Sequence, residues 1–350
     1  MKPRQRTRSR GAMAPTIKDV AARAGVSIAT VSRTFADAST VSADLRDRVA
    51  AAAGALKYQP SRVARNLRAG TSQTVGVVIP DLQNPFFTGI VRGLENVLLA
   101  AGYSLLLANS DEDPTRERQM LDTLRAEAVA GLIFVPINAG KSSYLHLLVP
   151  QLPIVAVDRL PVDLRVDLVT VANAAGSRAA VQHLLQLGHR RVALLGGPSK
   201  HSTAVQRERG YITALQRAGM AVRAERIFRG DFREQGGYDG MNALMAAAKP
   251  PTAVFVANNL MTLGALRALH EAGCEIPGDV ALVGFDDMPW ATSLNPPLTA
   301  VAQPEAEIGR SAAELLLGRI ADPDRPVRHV VLEATLVVRA SCGAPLARRA

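Results

Sequence analysis

The chain predicts two folds in series: an all-α front end of three short helices, then a two-lobed α/β body of doubly wound parallel sheets. Three observations carry this. Helical spacing of apolar residues, punctuated by a glycine and two serines, fills residues 16–58. From Val75 onward, nearly unbroken apolar runs alternate with helical stretches at a spacing of about 30 residues, the pattern of parallel strands covered on both faces. Charge is also partitioned. Residues 1–70 hold 14 Lys+Arg against 4 Asp+Glu, whereas the remaining 280 hold 27 of each sign, so the whole net charge of +10 sits on one fifth of the chain.

In the front end, Thr16 is a helix N-cap and Asp19, three positions on, suits both the free N–H groups and the positive end of the helix dipole. Ile17, Val20, Ala21 and Ala24 fall on one face. Gly25 ends this helix, because without a Cβ it enters the left-handed turn at no steric cost. Val26 packs inward, Ser27 caps the next helix, and Val31 with Phe35 forms that helix's buried face. Ser42 opens a third helix running to Tyr58, with Leu45, Val49, Ala52, Ala53 and Leu56 as its stripe. Two short helices around a tight glycine turn read as a helix-turn-helix unit. Each helix is too short to persist alone and holds only by packing on the others.

The charge excess asks for an acidic partner, nucleic acid or a membrane surface. Lys18, Arg23, Arg33, Arg62, Arg65 and Arg68 lie in patterned sequence; Arg4, Arg6, Arg8 and Arg10 form a tail that either joins them or is simply solvated. The stretch "PSRVARNLRAG" carries about two helical turns before Gly70, as a plain basic linker or as a hinge that orders on a partner.

In the body, "VGVVIP", "SLLLAN", "GLIFVP", "IVAVD", "RVALLGG", "AVFVAN" and "VALVGFD" read as strands, with two more near 168–171 and 331–338. Helices are expected over 86–100, 114–127, 174–187, 204–218, 235–247 and 260–272. That many strands suits two lobes better than one sheet. Cys274 and Cys342 are too few for a disulfide framework and fit a reducing cytoplasm. The first residues are basic but lack an apolar signal region, and no window approaches a membrane span, so a cytoplasmic, nucleoid-associated chain without a membrane partner is expected. The chain has no P-loop, GxSxG, HExxH or post-strand GxGxxG, and its histidines lack ligand spacing; no catalytic residue, metal or cofactor is expected.

The segments "TIKDVAARAGVSIATVSR", "LKYQPSRVARNLR", "VGVVIPDLQNPFFTGIVRGLENVLLAAGYSLLLANSDED", "LGHRRVALLGG", "RERGYITAL", "DVALVGFDD" and "LTAVAQP", in this order over residues 16–340, resemble the lactose-repressor (LacI/GalR) family of bacterial transcription regulators. The resemblance implies a DNA-binding headpiece, a hinge helix and an effector core of periplasmic-binding-protein type. It further implies a repressor that binds a palindromic double-stranded operator as a homodimer under control of a small molecule, an inducer or a co-repressor. It divides the chain into a basic disordered tail (1–15), headpiece (16–59), hinge (60–72), core (73–343) and tail (344–350). Within the core, the N-lobe spans about 73–172 plus 303–331 and the C-lobe about 173–302 plus 332–343. The C-terminus "RASCGAPLARRA" shows no leucine heptads, which favours a dimer over a coiled-coil tetramer.

By position, Ile28, Ala29 and Arg33 on a recognition helix of about 28–35 match the family's base-reading sites. The first two offer only apolar contact, whereas Arg33 reaches either a guanine edge or a phosphate. Ser27, Thr30 and Ser32 are phosphate or capping hydroxyls, and Thr16, Arg62 and Ala64 complete the DNA-facing set. Leu67 matches the family's minor-groove wedge, its alternative being a leucine packed on the core. Loops after strands should hold the ligand. Phe86, Arg159, Thr203, Arg207, Phe232, Asn258 and Asp286 align with effector-contacting positions, Arg207 and Asp286 bracketing ring hydroxyls and the two phenylalanines offering flat faces. Asn258 and Asp286 also suit helix caps, and Phe86 suits the core. Ala172 stands where the family often carries an aspartate before Asn173, which disfavours a purine-like effector and leaves a sugar or sugar derivative as the expectation. The rivals are a transport-type sugar-binding protein, opposed by the basic front end, a sugar-modifying enzyme, opposed by the lack of catalytic motifs, and a ligand-free architectural protein.

Overall fold

The computed structural model describes residues 15–36, 40–58, 72–137, 152–162 and 164–343. The chain divides into two compact units between Ser72 and Gln73.

The first unit holds helices α1 (Ile17–Ala24), α2 (Ile28–Ala36) and α3 (Ala43–Leu56). Thr16 opens α1 in extended backbone, and both its N–H and its hydroxyl donate to Asp19 Oδ2, at 2.8 and 2.7 Å. Gly25 closes it at φ 64°. Arg48 of α3 donates to the carbonyls of Ala24 and Gly25, so one basic side chain satisfies the orphan acceptors of the turn. Val20, Ala21, Ala24, Val31, Val49, Ala52 and Ala53 are buried together, with Ile17, Val26, Phe35 and Leu56 around them. The third helix is shorter than expected. Lys57 turns left-handed (φ 50°), and Tyr58 folds back to donate its N–H to Ala53 O and pack its ring 6.0 Å from Phe35.

The second unit has two six-stranded sheets. The first runs β11-β5-β4-β3-β1-β2, where β1 is Thr74–Ile79, β2 Ser104–Asn109, β3 Gly131–Phe134, β4 Ile154–Val157, β5 Asp167–Val171 and β11 His329–Leu332. All its pairings are parallel. The second runs β12-β10-β9-β8-β6-β7, with β6 at Val192–Gly196, β7 Ile227–Arg229, β8 Ala253–Val256, β9 Ala281–Phe285, β10 Thr299–Ala302 and β12 Thr335–Val337. Only β12 is antiparallel there, against β10.

Helices α4 (Pro85–Ala100), α5 (Pro114–Ala126), α6 (Asn173–Gln186), α7 (Ser202–Arg217), α8 (Glu234–Met245), α9 (Asn259–Glu271) and α10 (Glu305–Ala321) cover the sheets. Strands β3, β4, β6, β8 and β9 are buried at every position, which is why they read as continuous apolar runs, whereas β5 is buried throughout but carries Asp167 and Thr170.

The single strand expected over 331–338 is two strands in different sheets. β11 ends at Leu332, and the chain crosses to the other lobe before β12 begins at Thr335. The chain also crosses between β5 and α6 and between β10 and α10. Helix α10, absent from the expected helices, returns to the first lobe and packs on α4 through Gly93 and Gly309. A Cβ on Gly309 would lie 2.2 Å from Ile90 O, so only glycine permits that approach.

Candidate functional site

A cleft between the lobes opens at the carboxyl ends of the strands. The structure brings all seven core positions singled out in the sequence to this one cleft: Phe86, Arg159, Thr203, Arg207, Phe232, Asn258 and Asp286. They arrive from six different loops or helix starts, because parallel βα units place every post-strand turn at the same end of the sheet.

Phe86 stands in the first turn of α4, its N–H donated to Asn84 Oδ1 at 3.0 Å, and is 3% exposed. It therefore belongs both to the core and to the wall. Thr203 and Arg207 stand one turn apart on α7. Arg207 donates from Nε to Asn173 Oδ1 (2.7 Å) and from Nη1 to Ala257 O (2.6 Å), and its guanidinium lies 3.8 Å from the Phe285 ring centroid. Asn258 is indeed the N-cap of α9: Oδ1 accepts from Met261 N–H while Nδ2 donates to Phe232 O. Asp286 accepts from Gln303 Nε2 at 2.5 Å and from the Asn259 N–H at 3.2 Å. Capping and cleft lining coincide at Asn258, whereas Asp286 does not cap the short helical turn that follows it, whose cap is Met288, and accepts instead from the first N–H of α9. Ala172 precedes α6 with no side-chain cap, and Asn173 is spent on Arg207.

Asp158, Phe232 and Asp286 adopt φ of 67°, 66° and 74°. Left-handed backbone at non-glycine residues costs about 1–3 kcal/mol each and persists where surrounding structure over-determines it. Here it turns three side chains inward at strand ends.

Further lining residues escaped the sequence reading: Asp81, Asn84, Phe87, Glu112, Asp158, Asp231 and Arg233. Asp158 stood beside Arg159 in a strand-end loop, and Glu112 followed the second strand, so the strand-end rule applied strictly would have found both. Arg159 is 3% exposed and forms a forked pair with Glu112, Nη1 to Oε2 at 2.9 Å and Nη2 to Oε1 at 2.6 Å. Burial alone would raise the Glu112 carboxyl, but the Arg159 hydrogen bonds and charge hold it below the usual range. Burial pushes Asp158 up to about 6 against the opposing charges of Arg159 and Arg207, and it raises Asp286 against Arg207. Burial likewise lowers Arg207. Asp158 Oδ1 and Gln303 Oε1 are buried without a hydrogen-bond partner among the described residues. Buried polar atoms of this kind call for an outside partner.

On the first unit, Thr16, Ser27, Ile28, Ala29 and Arg33 are exposed, and Thr30 and Ser32 are half-buried. Ser27 Oγ accepts from the Thr30 N–H at 3.0 Å and hydrogen-bonds Thr30 Oγ1 at 2.9 Å, so both hydroxyls serve the helix start. Ile28, 42% exposed, leads an uncovered face that includes Arg33. Arg62, Ala64 and Leu67 lie outside the described residues. Among the described residues no helix is long and apolar enough to cross a membrane.

A helix-turn-helix unit joined to a two-lobed, cleft-bearing α/β core defines a class of ligand-responsive DNA-binding proteins. Residues 16–61 match the model of the bacterial regulatory proteins of the lacI family, and residues 181–342 that of a periplasmic binding protein-like domain. The ribose operon repressor of Escherichia coli (strain K12) is 36% identical over 93% of this chain and 99% of its own length. The complex of the transcriptional regulator CelR with cellobiose shares 34% identity over 93% of this chain and 99% of that chain, with a TM-score of 0.71. The lac repressor dimer bound to operator and the anti-inducer ONPF shares 29% identity over 95% and 100%, with a TM-score of 0.84. The chain belongs to the LacI family of bacterial regulatory proteins, and its relatives are transcriptional repressors rather than enzymes.

Proposed function

We propose that this chain is a homodimeric repressor that grips a palindromic operator with two headpieces and is controlled by a sugar or sugar derivative held between its core lobes. The observation that carries this reading is the convergence of seven positions from strand-end loops and the helices that follow them on one polar cleft, in a chain whose net positive charge lies wholly in residues 1–70. Arg33 reads a guanine edge, Ile28 and Ala29 offer apolar contact, and Thr16, Ser27, Thr30 and Ser32 face the backbone. Arg62, Ala64 and Leu67 belong to a hinge over 60–72 that forms on the DNA, with Leu67 as its wedge. Phe86, Arg159, Thr203, Arg207, Phe232, Asn258 and Asp286 hold the effector. The ribose operon repressor and the cellobiose complex of CelR among the relatives support a sugar, as does the rim of hydrogen-bonding side chains.

Effector closure changes the spacing of the two hinges, which sets whether they form together. Such linkage is typically about 1–3 kcal/mol, or roughly 5–150-fold in operator affinity. The test is a gel shift of the full chain against its own upstream DNA, with and without a panel of sugars, at rising salt. A retarded band that weakens steeply with salt and shifts with one sugar is expected. Binding that ignores every upstream fragment, with or without sugars, overturns the reading.

A further inference from the structure

We propose that Asn259 is a positioning residue that seats one lobe on the other and ties that seating to the occupancy of the cleft. The tie to occupancy rests on the sugar-effector reading above; the seating does not. Asn259 opens α9 and is 1% exposed, yet it is not among the residues that line the cleft. Its backbone N–H donates to Asp286 Oδ2 at 3.2 Å. Its side-chain Nδ2 donates to Asn84 Oδ1 at 2.8 Å and to Met288 Sδ at 3.2 Å. Asn84 and Asp286 do line the cleft, the first from the lobe of β1 and the second from the lobe of β9.

The contact between Asn259 and Asn84 has a fixed polarity. Asn84 caps α4, and its Oδ1 already accepts the Phe86 N–H, so an oxygen faces Asn259 and a donor must meet it. Asn259 Oδ1 accepts the Leu260 N–H at 2.7 Å, which leaves its NH2 group turned to the other lobe. Every polar atom of the Asn259 side chain is thereby used. A carboxylate of the same shape would set oxygen against Asn84 Oδ1, with the Asp286 carboxyl group alongside. Satisfied buried polar contacts of this kind specify one arrangement of the elements that share them.

Met288 gives the contact its mechanical consequence. It follows β9 in the chain, but its side chain, 2% exposed, lies in the core of the first lobe, in the cluster that holds Phe86, Phe87 and Ile90. Trp290, the only tryptophan of the chain, is half-buried and packs against the cores of both lobes. The stretch 286–290 therefore sends a carboxyl group into the cleft, a plug into the opposite lobe and an indole between the two. Asn259 holds the carboxyl group and the plug in register. A ligand that draws on Asp286 or Asn84 acts on the same residue that fixes the plug.

Acrylamide quenching of Trp290 in the full chain, beside titration calorimetry with a sugar panel that includes ribose and cellobiose, tests this. Asn259→Asp keeps the shape and reverses the donor. At pH 8 it should raise the sugar-free quenching constant at least about twofold and weaken sugar binding about tenfold. At pH 5 a carboxyl group so deeply buried regains its proton, and with it an O–H for Asn84 Oδ1, so both readings should return to the wild-type values at that pH. Asn84→Ser retains a cap for α4 but removes the partner amide; it should raise quenching likewise, and it serves if Asn259→Asp does not fold. Wild-type quenching in both variants overturns the seating role. A defect as large at pH 5 as at pH 8 does so too, because lost packing does not respond to a proton. Raised quenching with unchanged sugar affinity overturns the tie to the cleft alone. Binding of no sugar by the wild type overturns the effector reading and that tie with it, and sugar-free quenching still decides the seating.

Discussion

Asp158 is 5% exposed, beside two guanidinium groups, and one of its oxygens has no hydrogen-bond partner among the described residues. Its carboxyl is raised to about 6 in the folded chain, so the folded state binds more protons than the unfolded one between about 4 and 6. Stability is therefore lost as pH rises through that window, and the cost is fully present above it. Asp158→Asn removes the charge, and urea unfolding should show a gain of about 1–3 kcal/mol at pH 7.5 that shrinks at pH 4.5. An equal effect at both pH values would exclude a buried ionised carboxylate. Arg33 makes a contrasting case on the surface. A bidentate guanine contact is worth about 1–3 kcal/mol of discrimination. Arg33→Ala should thus weaken operator binding by more than it weakens binding to random DNA, and equal losses by fluorescence anisotropy would demote it to a phosphate contact.

At the scale of elements, the headpiece depends on one turn. Gly25 sits at φ 64°, and its carbonyl and that of Ala24 are met by Arg48. Gly25→Ala places a Cβ 2.9 Å from Arg48 Nη2, the far end of a flexible side chain, so the clash itself is cheap. The backbone strain is not, at about 1–3 kcal/mol. The headpiece transition in a circular-dichroism melt should fall accordingly while the core transition stays in place; an unchanged headpiece transition would mean that the turn relaxes freely. At the α4–α10 crossing Gly309 has no such flexible neighbour, since the three atoms nearest an added Cβ there are all backbone.

For the whole molecule, the crossing at Gln303 and Pro304 joins the lobes beside a cluster of carboxyl groups. Glu305 lies against Gly89 of α4, where an added Cβ would fall 2.1 Å from its Oε2. Burial, with the charges of Asp286 and Asp287, raises its carboxyl to about 8. Arg339 pairs with Asp287 and Gln303 with Asp286, but Glu305 itself gains no cation from them. A raised acid stabilises the fold below its unfolded value and loses that contribution as pH rises through the folded one. Thermal stability should fall between pH 7.5 and 8.5, above the range in which His201 and Asp158 change charge in either state, and Glu305→Gln should flatten the slope. A wild-type melting temperature constant over that interval would contradict this.

Local spacing alone was enough for most of the elements. Thr16, Gly25 and Ser27 marked the headpiece helices because capping acts within a few residues, and the strands announced themselves because burial on both faces leaves few polar positions, Asp167, Thr170 and Thr299 being buried exceptions. The cleft residues were legible one step further, since parallel topology sends every post-strand loop to one end. What only the tertiary structure decided involves pairs far apart in the chain: Arg159 with Glu112, 47 positions away, Arg207 with Asn173, 34 away, and His201 stacked on Phe232. The division of 331–338 between two sheets belongs with these, because β11 and β12 are assigned by their neighbours β5 and β10 rather than by their own composition. Periodicity records which face of an element meets a core. Which element supplies that core, and which charge is left there without a partner, depends on three crossings between lobes that no local pattern encodes.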